Sequence, residues 1–158
     1  MNLKINKISR SDIPYVISML REFAVGTNLA QYSSVTEENL QTVMFGEDHF
    51  VEGFTVFNDE IPIAYAIFFL HFSSFKGQKS IYLEDIYIKP DYRNLGIGEK
   101  LIREIAKFGK SQNASRIDFQ VSDSNEKGIN FYKKLGAVCN LDETHFKFDD
   151  EAFQKLAS

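Results

Sequence analysis

Apolar residues recur along this chain at two spacings, two and three-to-four, and the switches between them lay out an α/β order. Leu3 to Ile8 alternates and predicts a short strand. Ser9 stands three residues before Asp12, a helix start signal, and Ile13, Val16, Ile17, Leu20 and Phe23 follow at helical spacing. Ser11 to Ala24 therefore reads as a helix, with Pro14 tolerated near its first turn. After a loop from Gly26 to Ser34, Thr36 can cap a shorter helix carrying Leu40, Val43 and Met44. Phe50 to Phe57, Ile61 to Phe72 and Ser80 to Lys89 read as three strands of an antiparallel meander, ended by Pro90. The loop Asp91 to Gly98 leads into a helix reaching Lys110, with Leu101, Ile105 and Phe108 on one face and Glu99–Arg103 as a favourable pair. Arg116 to Val121 alternates again, with Ile117, Phe119 and Val121 pointing one way. Asn125 to Leu135 is a helix stopped by Gly136, and Ala137 to Cys139 with Thr144 to Phe148 can form a closing pair of strands. The order predicts a mixed, mostly antiparallel sheet flanked by about four helices. No repeat, low-complexity tract or linker interrupts it, so residues 1–158 read as a single domain.

Composition narrows the function classes. At 158 residues, 44% hydrophobic and 25% charged, the chain has the make-up of one globular domain. A net charge of −4 argues against nucleic acid as the main partner. The longest apolar run, Ile61 to Phe72, holds Pro62 and His71 and falls short of the roughly 18 residues of a membrane span. The first ten residues have no signal-peptide core. No membrane partner is expected. One cysteine, Cys139, makes no internal disulfide, which points to a cytoplasmic location. Gly109-Lys110-Ser111 imitates the end of a P-loop, but Glu104 stands where an earlier glycine is required. Gly96-Ile97-Gly98 lacks the third glycine of a dinucleotide fingerprint, because Leu101 occupies that place. His49, His71 and His145 are scattered and no metal site is expected.

One segment carries chemistry, Tyr82 to Gly98. A strand ends, a loop brings Arg93, Gly96 and Gly98, and a helix begins. Glycines let backbone N–H groups crowd together, and the helix start adds positive potential, so the segment can cradle a pyrophosphate or serve as an ordinary strand-to-helix turn. Arg93, Gly96 and Gly98 match the acyl-CoA motif of the GCN5-related N-acetyltransferases: Arg or Gln, two residues, Gly, one residue, Gly or Ala. The chain resembles that family in element order as well, and in a second block of Asn125, Asn130-Phe131-Tyr132 and Gly136-Ala137. Tyr82-Leu83-Glu84-Asp85-Ile86-Tyr87, Asp91-Tyr92-Arg93 and Asn130-Phe131-Tyr132-Lys133 are similar to the diamine and thialysine acetyltransferases within it.

The resemblance implies transfer of acetyl from acetyl-CoA to a primary amine by direct attack in a ternary complex, with no metal. It implies that Ile86, Tyr87 and Ile88 bond the pantetheine arm through their backbones. Arg93, Asn94, Leu95, Gly96, Ile97, Gly98 and Glu99 would hold the pyrophosphate. Asn125, Lys127 and Gly128 would contact CoA from the other side, and Lys133 would reach its 3′-phosphate. Tyr132 would stand by the sulfur as hydrogen-bond donor and Glu84 would face the amine as proton acceptor. Glu84 and Asp85 are the candidate acids for substrate binding, with Glu37 or Glu38 as further amine partners. Successive strand residues point to opposite faces, so only one of Glu84 and Asp85 is expected to face a given amine. A polyamine asks for several carboxylates, yet Gly26 to Gln31, Ser73 and Ser74 are uncharged. The reading favours a small-molecule amine, lysine-like rather than spermidine or spermine. The look-alikes are usually homodimers, and the aromatic surplus, including Phe68, Phe69 and Phe72 on one strand, would supply apolar contact as well as core. Acetylation of a protein lysine or N-terminus, and a non-catalytic acyl-CoA-binding module, are the alternatives.

Overall fold

The alternating first stretch forms strand β1 (Leu3–Lys7) in a computed structural model that describes residues 1–158. The Ser9 N–H donates to Asp12 Oδ2 at 2.8 Å, closing a short 3-10 turn at Arg10–Asp12. Helix α1 (Ile13–Gly26) follows, with Pro14 in its first turn and Ile13, Val16, Ile17 and Met19 buried. Helix α2 (Glu37–Phe45) is capped as its sequence requires. Thr36 Oγ1 accepts from the Asn39 N–H at 3.2 Å, and Asn39 Oδ1 accepts from the Thr36 N–H at 2.9 Å.

The meander forms β2 (Val51–Asn58), β3 (Ile61–Ser73) and β4 (Gln78–Ile88), each pairing antiparallel with its neighbour. Helix α3 (Ile97–Ser111) is the crossover that allows β5 (Ala114–Asp118) to pair parallel with β4. The sheet order is β1-β2-β3-β4-β5. On one face α1 and α2 cover Val51, Tyr65, Ile67 and Tyr87. On the other, Leu101 and Ile105 of α3 pack on Phe54, Val56, Phe68, Ile81 and Leu83. Gly109, the false P-loop glycine, has a packing role here. A Cβ there would meet Ile81 Cδ1 at 2.7 Å, so glycine lets α3 approach the sheet.

Residues 1–120 form this sheet unit, and residues 121–158 form a second compact unit. The second holds α4 (Glu126–Lys134) and α5 (Asp150–Ala157). Gly136 ends α4 with φ +92°, as its sequence position implies. The expected strands Ala137 to Cys139 and Thr144 to Phe148 do not form: residues 137–148 carry no strand pairing. A two-stranded hairpin is marginal without a third strand or a helix on its apolar face. Val138, Leu141, Phe146 and Phe148 of this stretch are all exposed. Instead the chain adds α5, a helix that the strand-rich sequence reading does not include.

Candidate functional site

The register between β3 and β4 slips once. Phe68 stands opposite Leu83 and Ile67 opposite Asp85, which leaves Glu84 as the extra residue of a β-bulge. Upstream of it Ile81 and Leu83 pack toward α3. Downstream, Ile86 and Ile88 take that side while Tyr87 joins the α1 cluster. The bulge therefore shifts the alternation of β4 between Leu83 and Asp85. Glu84 is exposed, and Asp85 turns to the α1 face with Tyr87.

The other edge of β4 opens at the same place. β5 pairs with Lys79, Ile81 and Tyr82 and ends with Asp118 opposite Tyr82, whereas β4 runs on to Ile88. The outward N–H and C=O groups of Leu83 to Ile88 thus have no strand beside them on that side. A cluster of side chains marks the last rung. His71 Nε2 lies 2.9 Å from Asp118 Oδ2, which also accepts from Arg116 Nε at 2.8 Å.

Burial first, and then the neighbouring Glu84, push the Asp85 carboxyl up to about 6. Burial, followed by Asp85 and Tyr87, also pushes the Tyr65 phenol up. Tyr87 OH donates to Glu22 Oε2 at 3.1 Å, and Lys89 Nζ lies 3.6 Å from Glu22 Oε1. Glu22, Thr55 and Tyr65 are absent from the sequence-based candidates. Their only signal in the sequence is a polar atom inside an apolar run, which burial alone makes meaningful.

Past β4 the chain makes a 3-10 turn at Pro90–Tyr92, and Arg93 Nε donates back to the Ile88 carbonyl at 2.9 Å. The Arg93 guanidinium lies 5.7 Å from the Tyr87 ring centroid. Asn94 at φ +62° and Gly96 at φ +75° are both left-handed. A Cβ on Gly96 would meet nothing within 4 Å, so glycine is required there by backbone conformation and not by space. Gly96 is the N-cap of α3, and its carbonyl takes the Lys100 N–H. The N–H groups of Ile97, Gly98 and Glu99 precede that first helical bond, an arrangement that can receive an anion. Side chains add little: Ile97 is buried in the core, and the Glu99 carboxylate is held by Arg103 at 2.7 Å. These residues suit a pyrophosphate through their backbones.

In the second unit, Asn125 Oδ1 accepts the Gly128 N–H at 3.0 Å and caps α4. Lys127 and Lys133 are exposed on that helix. Tyr132 is half-buried, its ring 5.0 Å from that of Phe131, and burial pushes its phenol up to about 12. The phenol thus keeps its proton at any physiological pH. The first unit gathers Glu84 to Ile88 and Arg93 to Glu99 along one strand, loop and helix start. The second gathers Asn125, Lys127, Gly128, Tyr132 and Lys133 on one helix.

A family model described as the acetyltransferase (GNAT) family matches residues 17–137. The chain is 32% identical to a thialysine N-epsilon-acetyltransferase of Sus scrofa, over 97% of this chain and 96% of that one. It is 28% identical to a protein of the same name from Caenorhabditis elegans, over 99% and 98% of the two chains. Among solved structures, an integron cassette protein from the mobile metagenome of V. cholerae superposes with a TM-score of 0.80. The identity there is 20%, over 99% of this chain and 98% of that one.

Proposed function

Because the chain belongs to the GNAT acetyltransferase family and is an N-acetyltransferase, we propose that it moves acetyl from acetyl-CoA to the primary amine of a lysine-like small molecule. Attack is direct, in a ternary complex. The observation that carries this reading is the free edge of β4 running into the left-handed turn and the start of α3. The amides of a pantetheine arm can add to Ile86, Tyr87 and Ile88 as a strand would. The pyrophosphate then falls to the N–H groups between Arg93 and Glu99, with Asn125, Lys127, Gly128 and Lys133 as the CoA contacts of the second unit.

The amine arrives as an ammonium with a pKa of about 10.4, so drawing on the free form near neutrality costs roughly 4–5 kcal/mol. Glu84, which is exposed at the bulge, attracts the ammonium and takes its proton, directly or through a water. Tyr132 serves the leaving sulfur. With its phenol near 12, full proton transfer to a thiolate of pKa about 8.5 is uphill by roughly 5 kcal/mol. It therefore acts as a hydrogen-bond donor to the developing thiolate, and solvent completes the thiol.

The related proteins of pig and nematode are named for thialysine, and the uncharged stretches Gly26 to Gln31 and Ser73-Ser74 support a short amine over a polyamine. We further propose that residues 1–158 work as one transferase domain in the cytoplasm, as a homodimer. The exposed Val138, Leu141, Phe146 and Phe148 supply apolar surface for a second copy. No helix is long and apolar enough to cross a membrane.

The test is an amine panel with acetyl-CoA, read by release of free thiol. Thialysine and lysine should outperform spermidine. Thiol release with none of them would overturn the reading. Within the same assay Glu84→Gln should lose most rate at pH 7 and recover as pH nears the amine pKa. Tyr132→Phe should bind normally and turn over ~100- to 1,000-fold more slowly, the cost of losing one donor to developing charge.

A further inference from the structure

Tyr65 occupies a position that packing alone does not justify. β3 sets it opposite Thr55 on one side and Tyr87 on the other, with its ring 6.1 Å from the Tyr87 ring. It is fully buried, at 0% exposure. Its hydroxyl and that of Thr55 have no hydrogen-bond partner. A buried hydroxyl left unpaired costs about 1–3 kcal/mol, and phenylalanine would fill the same space without that cost. Asp85 stands opposite Ile67, two residues along β3 from Tyr65, and is the charge that acts most on this hydroxyl; the bulge at Glu84 turns it onto this face. Were Glu84 paired in a regular ladder, Asp85 would point toward α3. An orphan donor and the carboxylate that acts on it thus share the α1 face of the sheet, one residue from the acid proposed to face the amine.

We propose that Tyr65 is a positioning residue of the acetyl transfer. Its hydroxyl donates to the Asp85 carboxylate, through one trapped water or after a small side-chain turn, and holds it as acceptor for the proton that Glu84 takes from the amine. This rests on the amine-acetylation reading. In that sequence R–NH3+ gives one proton to Glu84 and on to Asp85. The freed nitrogen lone pair forms the C–N bond at the acetyl carbonyl, and the C–S bond breaks with its electron pair on sulfur. A second N–H proton ends on the thiol by way of solvent, and the amide keeps the third hydrogen. Asp85 returns its proton to solvent as the site empties.

The surroundings suit a transient proton store. Glu84 and Tyr87 on the same strand and Tyr65 on β3 flank Asp85. From α1, Glu22 is occupied by Tyr87 OH and Lys89, and Arg93 lies over the Tyr87 ring. A carboxyl near 6 binds a proton about 100-fold more readily than an ordinary aspartate, yet is largely ionised at pH 7.

Tyr65→Phe tests the assignment, because a merely structural Tyr65 predicts an equal or higher melting temperature and unchanged kinetics. We expect the melting temperature to hold or rise and the KM for acetyl-CoA to stay the same. We expect kcat to fall roughly 10- to 100-fold, less than for a direct acid or base. The acidic limb of the kcat profile should move to higher pH, because the carboxylate loses a donor to its charged form. In an Asp85→Asn background the same change should have no further effect. A Tyr65→Phe enzyme with wild-type kcat and limb, or one whose effect adds to that of Asp85→Asn, overturns the role of Tyr65 and leaves the amine-acetylation reading standing. A wild-type enzyme that acetylates no amine overturns both.

Discussion

The two faces of the sheet are built to different standards. Under α3, Phe54, Val56, Phe68, Ile81 and Leu83 meet Leu101 and Ile105, and every side chain in the cluster is apolar. The Phe54 and Phe68 rings lie 5.6 Å apart, with Phe108 5.3 Å from Phe68. The opposite face carries the polar cost. Thr55, Ser73 and Ser80, the buried polar side chains, alternate onto that side, and Tyr65, Asp85 and Tyr87 join them. One face is packed from apolar side chains, and the other carries buried and half-buried oxygens at a cost in stability.

The largest effect should come from breaking the apolar side. Phe68→Ala removes a fully buried ring and should cost about 3–5 kcal/mol in urea unfolding, while turnover per folded molecule is retained. A mutant that folds well but turns over poorly would mean this face also shapes the site.

Asp85→Asn should act in the reverse sense. The folded state holds the Asp85 proton up to about pH 6, whereas the unfolded chain releases it near 4. The folded protein therefore loses stability as pH rises from about 4 through 6, and the loss is complete above that window. The amide removes it, so the variant should be more stable than wild type at pH 7 by about 2–3 kcal/mol and equal to it below pH 4. Its amine acetylation should nevertheless fall. Equal stability at both pH values would place Asp85 in water and erase the contrast between the faces.

Thr55→Val gives the smallest expected change. It deletes a buried, unpartnered hydroxyl at nearly constant volume and should stabilise by about 1 kcal/mol in the same denaturation assay. Destabilisation would mean that the hydroxyl anchors an internal water, which would extend the polar network inward.

Much of this was legible in the sequence where the cause is local. Thr36 with Asn39, Gly136 at a helix end and the Arg93-to-Gly98 loop each announce a conformation that a few neighbouring residues enforce. The features that were not legible depend on partners far along the chain. The bulge at Glu84 is a register fact about β3 and β4, and no pattern within Gln78–Ile88 reveals which residue is extra. The high pKa of Asp85 follows from that register. The closing hairpin was misread for a related reason: Ala137 to Phe148 has strand-like residues, but whether such a stretch pairs depends on partners outside it.

The bulge also sets what kind of change β4 can tolerate. Because side chains repeat every two residues, deleting Glu84 would seat Asp85 directly after Leu83 and close the ladder, and every residue after it would keep its face. Asp85 and Tyr87 would stay on the α1 side and Ile86 and Ile88 on the α3 side, so the exposed acid at the bulge is what would be lost. No single substitution at Glu84 straightens the strand, since any residue keeps the count. The bulge is therefore set by the length of β4 and not by its composition. A variant of this chain that lacks Glu84 should fold with both faces of β4 unchanged, whereas exchanges at that position should leave the bulge in place.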